Sequence, residues 1–424
     1  MQSFNAFEPG LLIPQLSADV EFYPFDSNTY LVKHGLLGHQ LRVSKAIMQV
    51  LELVDGERPI QTIATQMSVQ LKSAVSSQLV FDMLYKGRLS QCGIVLSEQT
   101  VASKKADAYI WAKIILLKAH QIDKLCDWLA PLFRPKFFYA LFMLLLVYLL
   151  TLILSQSIDI AKFAHWKFGP SMALYFYGIF ILSTLLHEIG HAAACRHFNV
   201  RHGHIGLGMY LLAPVFFADV SDAWRVSKYK RLVIDLAGIF MELLFYSLIS
   251  VVYFCIDNQL VLQLILLRLI GTTANLNPFL RFDGYWALCD LTNEPNLRTK
   301  SNALFQQTLT WLFSSTKSPL KTTRDYLMVT YASVSWFVII FFIASSLLYN
   351  SGAIMYAPHH LVRLIERIIQ NWDTITITSI WQSITQLLLP LLFYYMLIRL
   401  LTPLVIRFWK RLQHRKLHYM RTRY

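Results

Sequence analysis

The sequence predicts a mainly α-helical, polytopic membrane protein, with about six spans and a re-entrant hairpin, behind a small N-terminal α+β domain of winged-helix-like type. Three observations support this fold class. Hydrophobic residues make up 55% of the 424 residues and charged residues only 15%, which is too apolar for an ordinary soluble protein. Apolar segments of spanning length follow residue 136. Residues 1–103, in contrast, have the mixed composition of a globular domain.

The net charge of +14 bears on partners and orientation. Lys and Arg cluster beside the apolar segments and in the tail after Thr402, which favours membrane orientation over nucleic-acid binding. The opening MQSFNAFEPG lacks the basic and apolar regions of a cleavable signal peptide, so we expect the first hundred residues to stay in the cytoplasm. The five cysteines are scattered without a CxxC pair, which argues against a disulfide framework or a cysteine zinc site.

Residues 1–103 contain signals for strands and three short helices. The stretch EFYPFDSNTYLV favours strands, and Ser44 can cap a helix that Asp55-Gly56 ends. A second helix is predicted near 60–67, a third over about 71–86, and CGIVL as a final strand. The segment RVSKAIMQVLELVDGERPIQTIATQM resembles the PqqD family of peptide-recognition domains. This resemblance implies that a peptide adds as a strand to the sheet edge and packs against the third helix. A structural winged helix without a ligand is the alternative.

Residues 104–136 connect this domain to the apolar part of the chain. WAKIILLKAHQIDKLCDWLAPLFRPK is amphipathic and basic, and it predicts an interfacial helix that leads into the membrane.

The membrane part begins at residue 137. The stretch GLGMYLLAPVFFADV is too short to span and predicts a re-entrant hairpin or a loop buried in protein. The distribution of Lys and Arg around the spans places both termini in the cytoplasm. The predicted spans are 137–156, 170–195, 231–256, 259–279, 326–349 and 376–402.

Three ionisable residues lie inside the second predicted span, in LLHEIGHAA. His187 and His191 are four residues apart, so they share a helix face and can bind one zinc ion. Glu188 lies beside them and can reach a water on the metal without being a ligand, as in HExxH metalloproteases. Ionisable groups at membrane depth are costly and usually functional. A structural polar cluster is the alternative.

Zinc needs a third protein ligand. The best candidate is Asp283 in NLNPFLRFDGYW, where Pro278 interrupts the helix and Gly284 is expected to permit a sharp turn. Three histidines closer in sequence fit a basic cytoplasmic flank better: His197, His202 and His204.

These two motifs together resemble the site-2 protease family of intramembrane zinc metalloproteases, over residues 170–290. The family pairs HExxH with Asn-x-x-Pro-x-Pro-x-Leu-Asp-Gly, and the chain departs from that pattern at Leu280 and Phe282. The positions in register are Asn275, Pro278, Asp283 and Gly284. The stretches YLLAPVFFADVSDAWR and NPFLRFDGYW resemble the peptide zinc metalloprotease branch, which is often encoded near peptide-maturation or secretion systems.

The resemblance assigns roles to residues of this chain. It implies one zinc ion per chain on His187, His191 and Asp283, with Glu188 as the general base. Asn275 is the expected substrate contact, together with Asn277 nearby. Residues 137–424 would then be a transmembrane zinc metalloprotease domain with a basic cytoplasmic tail.

Two further acids are predicted to support the ligands. Asp235 and Glu242 are seven residues apart on one face of the third predicted span, where they can orient the ligand histidines. A plain hydrogen bond between helices is the alternative.

The sequence therefore predicts an intramembrane zinc metalloprotease that acts on a membrane-associated or leader-bearing peptide docked by the N-terminal domain. The expected setting is the cell (inner) membrane, with the active site toward the cytoplasm and peptide maturation or secretion machinery as partner. The alternative is a non-catalytic, peptide-docking membrane subunit of a maturation or export system. A di-iron desaturase is disfavoured, because the chain lacks the histidine boxes that two irons need.

Overall fold

The structure is a computed structural model. It describes residues 8–25, 28–97, 101, 110–155, 170–210, 213–256, 258–294, 296–314, 318–370, 387, 389–398 and 401–402. The chain divides into two units, Met1–Tyr210 with Pro214–Pro295 and Leu211–Ala213 with Asn296–Tyr424.

The described residues are mainly helical. The strands are β1 (Val20–Pro24), β2 (Thr29–His34), β3 (Gln40–Ser44), β4 (Ile110–Leu117), β5 (Ile205–Tyr210) and β6 (Ala213–Ala218). Helices of the first unit are α1 (Lys45–Leu53), α2 (Ile60–Leu71), α3 (Ser77–Phe81), α4 (Arg88–Gln91), α5 (Ala119–Leu129), α6 (Pro135–Ser155), α7 (Pro170–His197), α8 (Lys228–Ile256), α9 (Gln259–Asn275) and α10 (Asp283–Leu291). The second unit contains α11 (Leu297–Leu312), α12 (Thr323–Gln370) and α13 (Leu389–Ile398).

The N-terminal residues form an antiparallel sheet in the order β1-β2-β3, with short helices packed against it. Helix α1 begins where the sequence predicts, because the Ser44 hydroxyl accepts a hydrogen bond from the Ile47 backbone N–H. The third helix begins later than predicted, since Lys72 takes a left-handed conformation that ends α2. The predicted CGIVL strand is reduced to one bridge, between Leu16 and Val95.

The prediction of one interfacial helix over 104–136 is wrong for its first half. Ile110–Leu117 is the strand β4, which pairs antiparallel with β5, and α5 begins only at Ala119. The run IWAKIILL is rich in apolar and β-branched residues, so a partner strand about ninety residues away can stabilise it as an extended chain. The apolar face of α5 packs into the main core through Ile122, Cys126 and Leu129.

Four helices among the described residues are long and apolar enough to cross a membrane, so the chain has the character of a membrane protein. Two of the six predicted spans correspond to shorter apolar helices, α9 and α13, and the sixth prediction falls largely on residues outside the described ranges. The four candidates are Pro135–Ser155, Leu174–His197, Lys228–Ile256 and Thr323–Glu366.

The predicted hairpin is a pair of strands, β5 and β6, which extend the sheet that β4 begins in the order β4-β5-β6. Strand β6 therefore lies at the open edge of this sheet, immediately before the segment that leads into α8.

Helices α7 and α8 cross closely because small residues line their contact. A Cβ at Gly190 would lie 2.6 Å from Met241 Cγ and 2.7 Å from the Ala237 carbonyl oxygen, closer than atoms can approach. Ala193 and Ala194 of α7 are fully buried in the same core. This crossing brings the backbone of α8 against the helix that carries both motif histidines.

The packing of α5 predicts a difference in thiol reactivity. Burial raises the pKa of Cys126 to about 12, so at pH 8 only roughly 10⁻⁴ of it is thiolate. Maleimide should label Cys126 only after unfolding, whereas a Leu125→Cys substitution on the exposed side of α5 should label rapidly. Peptide mass spectrometry measures both rates. Comparable rates would mean that α5 does not pack into the core.

Candidate metal centre

Helix α7 presents three ionisable side chains to the interior of the first unit. His187, Glu188 and His191 are 4%, 7% and 6% exposed. They lie one helical turn or less apart, so the two imidazoles share a face of α7. Burial at this level requires partners for each polar atom.

Asp283 reaches the histidines because the chain reverses direction between α9 and α10. Pro278 lies just after the last turn of α9, and the Asn277 side chain accepts a hydrogen bond from the Phe279 backbone N–H at 2.8 Å. Asp283 is the first residue of α10, which points its carboxylate back toward α7.

Gly284 is needed for space rather than for a turn. It lies within α10, and the glycines with positive φ in the described residues do not include it. A Cβ at this position would overlap the Leu276 backbone, so a glycine lets the start of α10 pack against the end of α9. The prediction that Gly284 permits a sharp turn is therefore wrong.

The three proposed ligands converge on one point. Asp283 Oδ2 lies 2.8 Å from His187 Nε2, Asp283 Oδ1 lies 3.5 Å from His191 Nε2, and the two Nε2 atoms are 3.1 Å apart. Ligands around a tetrahedral zinc ion lie about 3.3 Å from one another. Among the described residues, these three side chains form the group that could hold a metal ion.

The outer nitrogen of each imidazole faces another helix. His191 Nδ1 lies 2.7 Å from the Ile234 carbonyl oxygen on α8, and because a carbonyl only accepts, Nδ1 carries the proton. The lone pair of His191 is thereby placed on Nε2. His187 Nδ1 faces Glu242 Oε2 at 3.5 Å, which is a contact between the ring and the carboxylate rather than a hydrogen bond. Lone pairs that converge in this way repel one another unless a cation lies between them, so the donor set fits a metal ion.

Glu242 is held by a buried network that the sequence analysis partly missed. Arg268 Nη2 donates to Glu242 Oε1 at 3.0 Å, and the Thr272 hydroxyl donates to Oε2 at 2.7 Å. Arg268 Nε also donates to the Ser183 hydroxyl on α7. A single arginine in the apolar run VLQLILLRLIG was the signal, because an isolated charge at membrane depth needs a partner.

Asp235 lies close to the carboxyl groups of Asp290 and Asp283 on α10. Its Oδ2 is buried without a hydrogen-bond partner among the described residues. Asp290 in turn accepts a hydrogen bond from Arg231 Nε at 2.7 Å. Of the two acids predicted to support the ligand histidines, Glu242 lies beside one of them, whereas Asp235 belongs to a contact between α8 and α10.

Glu188 and the two asparagines are the remaining residues that the sequence predicts to act at this site. The Glu188 carboxylate lies near the backbone of Ala218, the last residue of β6. Asn275 ends α9 and is half-buried, and Asn277 forms the local turn described above. His202, one of the less favoured candidates, lies 3.1 Å from Asp123 on α5 instead.

Comparison with known proteins gives one curated relative. A protein of Bacillus subtilis (strain 168), named "Putative peptide zinc metalloprotease protein YydH", is 24% identical over 158 residues. These residues are 36% of this chain and 61% of the relative, so the chain spans about three fifths of the relative's length. No protein-family model matches the chain, and no solved structure matches it significantly.

The position of His187 predicts the effect of a single methyl group. A Cβ at Gly238 on α8 would overlap the imidazole ring of His187, so Gly238→Ala should displace this ligand. The expected result is a loss of zinc binding, measured by metal analysis of the purified protein. Gly178→Ala on α7 is the matched control, since its Cβ would meet no atom within 4 Å. Equal zinc content in both variants would contradict this geometry.

Proposed function

We propose that the chain is a zinc metalloendopeptidase of the site-2 protease type, which hydrolyses a peptide bond of a membrane-associated or leader-bearing peptide. The observation that carries the proposal is the convergence of Asp283 with His187 and His191 at tetrahedral spacing. Both histidines and Glu188 lie on a helix apolar enough to cross a membrane. The similarity to a relative named as a peptide zinc metalloprotease supports it.

His187, His191 and Asp283 would hold the metal through Nε2, Nε2 and a carboxylate oxygen. When bound, zinc supplies Lewis acidity, which polarises the scissile carbonyl and lowers the pKa of a water. Two imidazoles and one carboxylate leave a fourth tetrahedral position open to solvent or substrate.

The protein groups move the protons. Glu188 accepts the proton of the attacking water and later donates it to the departing amine, so that the peptide leaves as a neutral amine. This carboxylate lies near the backbone of Ala218, at the edge of the sheet. The Ile234 carbonyl holds the His191 ring in the tautomer that the chemistry needs, and Glu242 is the acid that faces the His187 ring.

A helical substrate hides its carbonyl groups, so it must extend before cleavage. Strand β6 is at the open edge of its sheet and ends beside Glu188, which suits pairing with an extended substrate. Asn275 and Asn277 would hydrogen-bond the same extended segment. In the N-terminal PqqD-like domain, β3 is an edge strand that can take up a peptide in the same manner.

The setting proposed for this activity is the cell (inner) membrane. Both termini and the metal centre would lie toward the cytoplasm, following the distribution of Lys and Arg. A peptide maturation or secretion system is the proposed partner.

Metal analysis tests the ligand assignment. Purified wild-type protein should contain one zinc per chain, and His187→Ala and Asp283→Ala should each lose it. His360→Ala is the control, because this histidine is exposed on α12 and should leave the zinc content unchanged. A wild type without zinc, or zinc indifferent to Asp283, would remove the basis of the proposal.

A second prediction separates the protease from a non-catalytic docking subunit. Glu188→Gln should retain zinc and lower the cleavage rate about 10²–10⁴-fold, because the proton acceptor is lost. Cleavage is measured by mass spectrometry on a peptide library incubated with the protein in lipid vesicles. Glu52→Gln, on the exposed side of α1, is the control. Peptide binding that persists in wild type and variant without any cleavage would favour the docking subunit.

A further inference from the structure

The N-terminal sheet is fastened to the segment that precedes α8 by two ion pairs. Lys33 Nζ lies 2.6 Å from Asp222 Oδ1, and Arg225 Nη2 lies 2.8 Å from Glu21 Oε2. The Arg225 guanidinium also lies 4.7 Å from the centre of the Tyr23 ring. The side chains of Lys33 and Asp222 are only 18% and 16% exposed, so this pair is screened less than a surface pair.

Behind these pairs, an aromatic ring of the N-terminal domain covers a buried arginine. Arg231, near the start of α8, is 2% exposed, and its guanidinium carbon lies 4.7 Å from the centre of the Phe25 ring and 4.8 Å from that of Trp224. The Phe25 and Trp224 rings are nearly parallel, with centres 6.3 Å apart. Phe25 follows β1 directly and so belongs to the N-terminal domain.

Two of the three guanidinium nitrogens of Arg231 donate hydrogen bonds within the described residues. Nε donates to Asp290 Oδ1 at 2.7 Å and Nη1 donates to the Val226 carbonyl oxygen at 2.8 Å. Nη2 is buried without a hydrogen-bond partner among the described residues. The aromatic faces therefore supply the remaining stabilisation and exclude water from the ion pair.

The partner of Arg231 lies on the helix that begins with a proposed metal ligand. Asp283 and Asp290 are the first and eighth residues of α10, about 10 Å apart along the helix axis. Anchoring Asp290 fixes the position and rotation of α10, and with them the direction of the Asp283 carboxylate. Three residues after Arg231, the Ile234 carbonyl orients His191. One turn of α8 thus supports a ligand on α7 and a ligand on α10.

We propose that the N-terminal domain is a structural part of the metal centre, in which Phe25 closes over Arg231 and the Arg231–Asp290 pair holds Asp283 in place. Arg231 and Asp290 are positioning residues, and docking of the sheet sets how firmly they pair. When Phe25 is removed, water reaches the pair, weakens its attraction and loosens α10. This inference rests on the proposed function, because it assumes that Asp283 binds the metal.

The test uses the full-length protein in detergent and two readouts of the metal rather than cleavage. Zinc affinity is measured by competition with a chelator, and the ligand geometry by the visible absorption of the Co²⁺-substituted protein. Phe25→Ala should raise the zinc dissociation constant about tenfold, the range for groups that orient ligands, and should change the Co²⁺ spectrum. Phe25→Tyr, which keeps an aromatic face, should restore both.

Matched controls separate this effect from damage to the N-terminal domain. Phe81→Ala removes a ring that stacks on Tyr85 within that domain, and it should leave the zinc affinity within about twofold of wild type. Lys33→Glu breaks the ion pair with Asp222, which joins the N-terminal sheet to the segment before α8. Lys86→Glu breaks the ion pair with Asp82, which lies within the N-terminal domain. Lys33→Glu should loosen zinc and Lys86→Glu should not.

The outcomes are distinct. Zinc affinity and Co²⁺ spectra that are the same in wild type, Phe25→Ala and Lys33→Glu would overturn this inference and leave the proposed function standing. Equal loosening in the test and control variants would also overturn it, because the effect would then be general destabilisation. A wild type that binds no zinc would overturn the proposed function and this inference with it.

Discussion

The close crossing of α7 and α8 is the constraint on which the arrangement of the candidate ligands depends. Gly190 lets the two backbones approach, and Gly238 leaves room for the imidazole of His187. Without these two glycines, the ring of His187 and the Ile234 carbonyl could not occupy their present places. Buried polar groups need partners, and the crossing supplies them from backbone and side chains of α8.

From that crossing, the contacts extend in two directions. Toward α9, Glu242 connects His187 with Arg268 and Thr272, so a carboxylate near the ligand is itself neutralised and fixed. Toward α10, Arg231 binds Asp290 on the helix that begins with Asp283. The two histidines therefore face groups on α8, and the helix that begins with Asp283 is itself bound to α8 through Asp290.

Sequence reasoning selected the residues that lie together better than it predicted the geometry around them. The HExxH spacing and the acid in NLNPFLRFDGYW suffice to select His187, His191 and Asp283, since these side chains make sense at membrane depth only in a shared site. The reason for Gly284 was missed, because a close approach to Leu276 depends on how α9 and α10 pack. Asp235 was predicted to support the ligand histidines and lies close to Asp290 and Asp283, since helical periodicity gives a face but not the neighbour on that face.

The sequence by itself determined the mainly helical, membrane-type character of the chain, the capped helix at Ser44 and the set of ionisable residues that the apolar part must satisfy. Composition and local spacing contain this information. Only the tertiary structure decided that Ile110–Leu117 is a strand and that Phe25 covers Arg231. Both depend on segments that are distant along the chain, β5 for the strand and α8 for the ring. Local propensity leaves such contacts open, because pairing and burial with a remote partner outweigh the preference of a short segment.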